Sequence, residues 1–384
     1  MSRQPHSNIV AMGLVSLFTD FASSLVTPIL PLFIVLVLDE GTDKVGYVVA
    51  IATFVSYILR FVSGVLSEHF AHNKPFLLIG YGISTVAKPL FAWSSSWASI
   101  AGIRVVERLG KAVRAAPKDS LISQSADKAD TGKSFGLHKT LDVAGEMGGL
   151  IAALIILSTF GSSEAVFRNI FRWSLLPGVL ALLILIFMVR DVTGGKLHKP
   201  VRISIEKPLL PSILGVAAFS LFMFSEAFWV LRVDAHGLGI SGVLSLLVIT
   251  KLTQVLLSYR VGVLLDRVHP QWLLCTGYIA GVLALGLLFW GYVATLLISF
   301  VIYGVHVVMM LNGIRTLIGR EAEDKGSSFG FFYLIYALSS ALGAISIGVL
   351  WSRFGVSVAL SFSATGASVV LLSQTYRLFV LKSW

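Results

Sequence analysis

The chain has 384 residues, 56% of them hydrophobic and only 13% charged, with a mean hydropathy of +0.85. Soluble domains carry about 25% charged residues, so this composition excludes a soluble globular protein and implies a polytopic membrane protein. The net charge of +10 does not call for nucleic acid, because Lys and Arg gather in cytoplasmic loops, where they set topology.

One helical crossing of the hydrocarbon takes about 20 apolar residues. Twelve such segments with short loops nearly exhaust the chain and leave no sizeable soluble domain. The single cysteine, Cys275, lies in an apolar run and excludes an intrachain disulfide or a cysteine metal cluster. There is no Gly-x4-Gly-Lys-Ser/Thr nucleotide loop and no His-x3-His pair. No ATP drive, metal or other cofactor is therefore expected, and the chain is not read as an enzyme. Residues 1–8 are short and polar, and the apolar run behind them is too long for a cleaved signal; it is expected to be the first spanning helix.

That first predicted helix covers about residues 9–38. Ser16, Asp20, Ser23, Ser24 and Thr27 share one of its faces. A carboxylate near mid-helix is costly in lipid, so this face should turn to the bundle interior or a wet cavity. Asp39, Glu40 and Asp43 form an acidic turn expected outside. Helix 2 (about 45–67) leads into Gly64-Val-Leu-Ser-Glu-His-Phe-Ala-His-Asn-Lys-Pro75, a short basic hinge. Helix 3 (about 76–93) holds Lys88, near enough to the outer end to snorkel.

Helix 4 (about 97–116) is the least lipid-like. Arg104, Glu107, Arg108, Lys111 and Arg114 fall on one stripe, with Glu107 and Lys111 as an i,i+4 pair. The remaining cations need carboxylates from other helices or an anionic ligand. Helix 5 (about 133–159) carries Asp142 and Glu146 one turn apart on the face that holds His138. It is rich in small residues, which let membrane helices approach closely. After helix 6 (about 173–189) comes the longest polar connection, residues 190–208, whose basic balance places it in the cytoplasm.

Helix 7 (about 209–232) contains Glu226, with Ser225 beside it and Trp229 near. Helix 8 (about 239–261) carries Lys251, Gln254 and Ser258 on one face. A second hinge and the plain apolar helix 9 (about 272–290) follow. Helix 10 (about 295–319) holds His306, Asn312 and Arg315; helices 11 (about 327–350) and 12 (about 356–381) finish the chain.

Two stretches recur. Gly64-Val-Leu-Ser-Glu-His69 returns as Gly262-Val-Leu-Leu-Asp-Arg267, and Asp130-Thr-Gly-Lys-Ser-Phe-Gly136 as Asp324-Lys-Gly-Ser-Ser-Phe-Gly330, at offsets of 198 and 194 residues. The pair of matches implies duplication, with an N-terminal six-helix bundle over 1–189, a linker over 190–208 and a C-terminal bundle over 209–384. Such repeats commonly bind a ligand where they meet. An even number of spans puts both termini on the basic, cytoplasmic side.

Over essentially its full length the chain resembles the major facilitator superfamily. The hinge at residues 64–75 is similar to that superfamily's motif between helices 2 and 3, with Glu68 for the usual Asp, His69 for Arg and Ala71 for Gly; the second copy keeps Asp266 and Arg267. Gly136, Gly145 and Gly149 fit the glycine spacing of the antiporter motif of drug exporters, with Leu150 at its Pro position and Ala153 in its closing Gly-Gly region. The stretch Arg108-Leu-Gly-Lys-Ala-Val-Arg114-Ala-Ala-Pro-Lys-Asp119 resembles a bacterial efflux-type subgroup. The resemblance implies an all-α fold of twelve transmembrane helices in two pseudo-symmetric bundles, rocking about a cavity lined by helices 1, 4, 7 and 10.

The expected function is proton-coupled alternating-access transport of a small organic, anionic or zwitterionic solute, in the export direction. The setting is a bacterial inner membrane, with a monomer embedded in lipid and no nucleic-acid partner. Asp20, Glu226, Asp142 and Glu146 are the candidate proton carriers, each also readable as half of a fixed ion pair with Arg104, Arg108 or Lys251. Arg104, Arg108, Lys251, Gln254, Trp229, Asn312 and Arg315 are the candidate substrate contacts; Trp229 reads equally as an interfacial anchor. Gly64, Glu68, Asp266 and Arg267 are the candidate gate, the acids serving as latches to a helix N-terminus or a cation. Import by a symporter or uniporter, or a sensor that kept the fold without transport, are the competing readings.

Overall fold

A computed structural model of the chain describes residues 4–67, 73–125, 131–191, 208–265, 268–322 and 325–379. Every element among these residues is helical. Helix α1 begins as Gln4–Val26. It passes through a 3-10 turn, Thr27–Ile29, and ends in a π turn, Phe33–Val37. Pro28 and Pro31 explain the change of winding, since each removes a backbone donor from the i→i−4 ladder. Helix α2 is Thr42–Ser67. Helix α3 is Lys74–Leu90, prolonged by the 3-10 turn Phe91–Trp93. Helix α4 is Trp97–Ser125 and α5 is Thr131–Phe160. Helix α6 is made of Glu164–Trp173 and Leu175–Phe187, and α7 of Leu210–Phe222 and Glu226–Asp234. Helices α8 to α12 are Gly239–Leu265, Pro270–Trp290, Val293–Glu321, Lys325–Phe354 and Val356–Phe379.

Among the described residues, eleven helical stretches are long and apolar enough to cross a bilayer. The exception is α4, whose 29 residues would suffice in length but which carries the charged stripe. Ile155, Phe160, Leu176 and Phe187 are among many large apolar side chains left exposed, as a surface facing lipid rather than water requires.

Three elements depart from the sequence reading. Helix α4 runs on to Ser125 through Pro117 rather than stopping near 116. Helix α6 starts at Glu164, not near 173, because Phe167, Ile170 and Phe171 bury one face while Glu164 and Arg172 interrupt the apolar run. Helix α7 is broken, not continuous: Met223 and Ser225 have extended backbone. The Phe224 carbonyl at the break accepts the indole N–H of Trp229 at 3.2 Å, so it is not left bare in an apolar interior.

The helices form two compact units: Met1–Glu40 with Val55–Pro200, and Gly41–Phe54 with Val201–Trp384. In the first unit α1 lies along α5 and α6, and α3 along α4 and α6. Ala11, Met12, Val15, Leu77, Tyr81, Leu121, Ile122, Ala181, Leu185 and Val189 make one core from four of these helices. In the second unit α9 lies along α10 and α12, α8 along α10, and α7 along α11 and α12. Val261, Leu273 and Val308 form a core cluster there.

Two close backbone contacts fall at positions related by the sequence repeat. A Cβ on Gly149 of α5 would lie 2.2 Å from the carbonyl oxygen of Phe21 in α1, and one on Gly343 of α11 would lie 2.2 Å from that of Leu221 in α7. Gly149 and Gly343 are 194 residues apart, the offset that relates Asp130 to Asp324. Each unit thus brings two backbones into contact at the same repeat position, which only a glycine permits.

Candidate functional site

The first unit contains a buried ionic network centred on α4. The stripe read from the sequence faces inward because α3 approaches closely: a Cβ on Gly110 would lie 2.7 Å from the Gly80 carbonyl. Glu107 is 1% exposed at its side chain, with Oε2 2.6 Å from Arg104 Nη1 and Oε1 3.3 Å from Lys111 Nζ. The same Arg104 nitrogen donates to Thr27 Oγ1 of α1 at 3.3 Å. Arg108 and Lys88 also act electrostatically on Glu107. Lys88 does not snorkel. It is 1% exposed, its ammonium donates to the Ser84 carbonyl at 3.3 Å, and its face is held against α4. Arg114 is buried and its guanidinium lies 4.0 Å from the centre of the Tyr81 ring, a cation–π contact.

Asp20 of α1 is half-buried and acts electrostatically with Asp142, Lys111, Arg114 and Lys118. His138 connects it to α5: its Nε2 is 2.9 Å from Ser16 Oγ, one turn before Asp20, and its Nδ1 is 3.9 Å from Asp142 Oδ1. The sequence placed His138 on this face without a role; the contact with α1 supplies one. Glu146 lies one turn beyond Asp142 and is half-buried. Among the described side chains, six cations (Lys88, Arg104, Arg108, Lys111, Arg114, Lys118) therefore meet three carboxylates (Asp20, Glu107, Asp142), and adding Glu146 still leaves the cations in excess there.

In the second unit the break in α7 places Glu226 in the first turn of the segment Glu226–Asp234, where the helix end favours a negative charge. Lys251 of α8 reaches it, with Nζ 3.4 Å from Oε2, and both side chains are partly exposed. The Glu226 charge acts electrostatically on Tyr303 of α10. Gln254 follows Lys251 by one turn and is half-buried. Trp229 is fully buried, with its ring stacked on Tyr303 at 4.5 Å and edge-on to Phe300 at 5.2 Å. It is therefore a core residue in this structure rather than an interfacial anchor. His306 is likewise engaged by its own unit, with Nδ1 2.8 Å from the Gly277 carbonyl oxygen. Asn312 is half-buried and Arg315 exposed, about 13 and 18 Å along α10 from Tyr303, so neither joins Glu226. Of the candidate gate residues, Gly64 falls in the last turn of α2; Glu68, Asp266 and Arg267 lie outside the described residues.

Buried charge of this kind in spanning helices marks substrate or ion pathways by default. The family model of the Major Facilitator Superfamily matches residues 12–344. An uncharacterized MFS-type transporter of Methanocaldococcus jannaschii is 27% identical over 98% of this chain and 96% of its own length. Among solved structures, a mutant of the nucleoside transporter NupG superposes with a TM-score of 0.82 at 11% identity, over 96% of this chain and 98% of that one. The xylose transporter XylE from E. coli superposes with a TM-score of 0.71 at 12% identity, over 99% and 98%; at such identities these two establish the fold alone. This chain is a multi-pass membrane transporter and belongs to the Major Facilitator Superfamily.

Proposed function

We propose that the protein is a proton-coupled secondary transporter that exports a small organic anion or zwitterion by alternating access of two six-helix bundles, 1–189 and 209–384, joined by 190–208. The excess of cations over carboxylates among the described side chains around α4 carries this reading. Charge in a low-dielectric interior demands a partner, and a carboxylate, sulfonate or phosphate on the solute would supply it when bound. Arg104, held by Glu107 and Thr27, and Arg108, one turn on along the same stripe, are the proposed contacts for that group.

Asp20 and Glu226 are the proton carriers in this scheme. Each faces cations in its own unit, so a change of access that separates or hydrates the pair alters proton affinity. Asp142, with His138, and Glu146 offer a second acidic step on α5. The packing of Gly145 and Gly149 against α1, at the antiporter spacing, favours export. Glu68, Asp266 and Arg267 remain the proposed gate.

The test uses purified protein in proteoliposomes. A thermal-shift screen of organic anions against neutral analogues of the same shape selects a substrate, since a ligand of the folded state raises apparent stability. An imposed pH gradient should then drive wild-type flux, while Asp20→Asn and Glu226→Gln keep exchange at equal pH but lose the response to the gradient. Full gradient-driven flux in both variants would remove the proton assignment. Import by symport requires accumulation under the opposite gradient.

A further inference from the structure

Arg114 of α4 is held in the interior of the first unit. Helix α4 continues for 11 residues beyond it, from 114 to 125, about 16 Å of helix, so the side chain does not reach water at the helix end. Backbone and ring both fix it. A Cβ on Gly80 of α3 would lie 2.8 Å from Arg114 Cβ, and the next residue of α3, Tyr81, has its ring centre 4.0 Å from the guanidinium. Arg114 is 8% exposed and Tyr81 1%. Tyr81 itself belongs to the core that contains Val15 of α1 and Leu121 of α4.

The facing carboxylate is Asp20. Two hydrogen bonds set the register of α1 against α4: Asn8 Nδ2 donates to Ser125 Oγ at 3.2 Å, and Arg104 Nη1 to Thr27 Oγ1 at 3.3 Å. The two helices therefore run antiparallel, with 19 residues of α1 (8 to 27) matched by 21 of α4 (104 to 125). Asp20 lies 7 residues before Thr27 and 12 after Asn8. That puts it level with residues 111–113 of α4, less than one turn from Arg114. Lys111 and Lys118 of α4, Lys88 of α3 and Asp142 of α5 also act on Asp20, and His138 of α5 meets α1 one turn away at Ser16. The α6 segment Leu175–Phe187, packed along α1, carries no charge. Lys111 is engaged by Glu107 at 3.3 Å and Lys88 by the Ser84 carbonyl at 3.3 Å, while Lys118 lies one turn further along α4.

We propose that Arg114 is the fixed counter-charge of Asp20 in proton coupling, and that Tyr81 is the residue that positions it. This role rests on the reading of Asp20 as a proton carrier. A carboxylate partner would cancel the charge of Arg114. An aromatic face holds the cation without cancelling it, so the charge stays available to the acid on the neighbouring helix. Lysine on its flexible stem is a less constant neighbour than a guanidinium stacked on a ring.

Purified protein in nanodiscs is titrated by infrared difference spectroscopy. The carboxylic-acid C=O band that Asp20→Asn removes reports protonation of Asp20, and no solute is needed. Withdrawing a cation lets a carboxyl keep its proton to higher pH, so Arg114→Gln should move the midpoint of this band upward by on the order of one pH unit. Arg114→Lys, which keeps the charge, should stay nearer wild type. Tyr81→Leu leaves the charge but removes the ring face, and should move the midpoint in the same direction by less; Tyr81→Phe, which keeps the face, should leave it in place. A purely packing role for Tyr81 would not move this titration. Tyr81→Leu also keeps the test decisive where loss of the guanidinium harms folding. An unmoved midpoint in Arg114→Gln or in Tyr81→Leu, or the lack of any band that Asp20→Asn removes, overturns the proposal. The carrier reading fails by a separate result, gradient-driven flux that survives Asp20→Asn.

Discussion

Arg104 and Glu107 stand one turn apart on α4 with 2.6 Å between Nη1 and Oε2, and their side chains are 7% and 1% exposed. A pair this enclosed differs from a surface salt bridge. Removing one partner of a buried pair leaves an uncompensated charge and costs about 3–5 kcal/mol. Glu107 is shared with Lys111, so Glu107→Gln strands two cations and Arg104→Gln only one carboxylate oxygen. We expect both variants to lower the thermal midpoint in detergent, Glu107→Gln by more. The reverse order would show that Arg104, not Glu107, organises the network.

Lys88 should behave in the opposite way. It is buried, but its hydrogen bond is a long one to Ser84, and Glu107 keeps Arg104 and Lys111 without it. Replacing a buried ion by an apolar group of similar volume is often neutral or stabilising by about 1–4 kcal/mol. Lys88→Met is therefore expected to hold or raise the thermal midpoint. A clear fall would mean that Lys88 balances charge that Arg104 and Lys111 do not reach.

The glycine contacts are steric and are tested by size. At Gly149 and Gly343 a Cβ would sit 2.2 Å from a carbonyl of the facing helix, far inside contact distance, so the two backbones must separate. Gly149→Ala and Gly343→Ala should each reduce folded yield, and the corresponding leucine variants should abolish it. Gly286, beside whose Cβ position there is open space, provides the control: Gly286→Ala should be neutral. Equal yields for all three alanine variants would show that the units tolerate wider helix spacing.

The helices were legible in the sequence because a long apolar run bounded by charge can satisfy its own backbone in lipid by winding into a helix. The α4 stripe was legible for a related reason, since offsets along one helix fix which residues share a face. Relationships between helices were less accessible. The distance of Lys88 from its helix end suggests snorkelling, but its direction is set by the close approach of Gly80 and Gly110, which no one-dimensional pattern reveals. The break in α7 falls at Met223-Phe224-Ser225, without the Gly or Pro that usually announces one. The break leaves the Phe224 carbonyl free to accept the Trp229 indole N–H, a bond that apolar periodicity does not announce. His138 carried only its place on a helix face until α1 brought Ser16 to its other nitrogen.

Glu226 and Lys251 allow a structural pair to be separated from a functional one. Their side chains are 34% and 24% exposed, so as a structural pair they resemble the solvated class, worth about 0–1 kcal/mol. A double-mutant cycle with Glu226→Gln and Lys251→Met should therefore find a small coupling in thermal stability. Transport makes a different demand. If the carboxylate loads and releases a proton against this cation, either single variant loses gradient-driven flux although it stays folded. Reversing the pair, Glu226→Lys with Lys251→Glu, keeps the attraction but moves the acid away from the N-terminus of its helix segment. The reversed protein should fold with near wild-type stability and still fail to couple flux to the pH gradient. Recovery of coupled flux by the reversed pair would show that attraction alone matters, and would return Glu226 to the role of a fixed ion-pair partner.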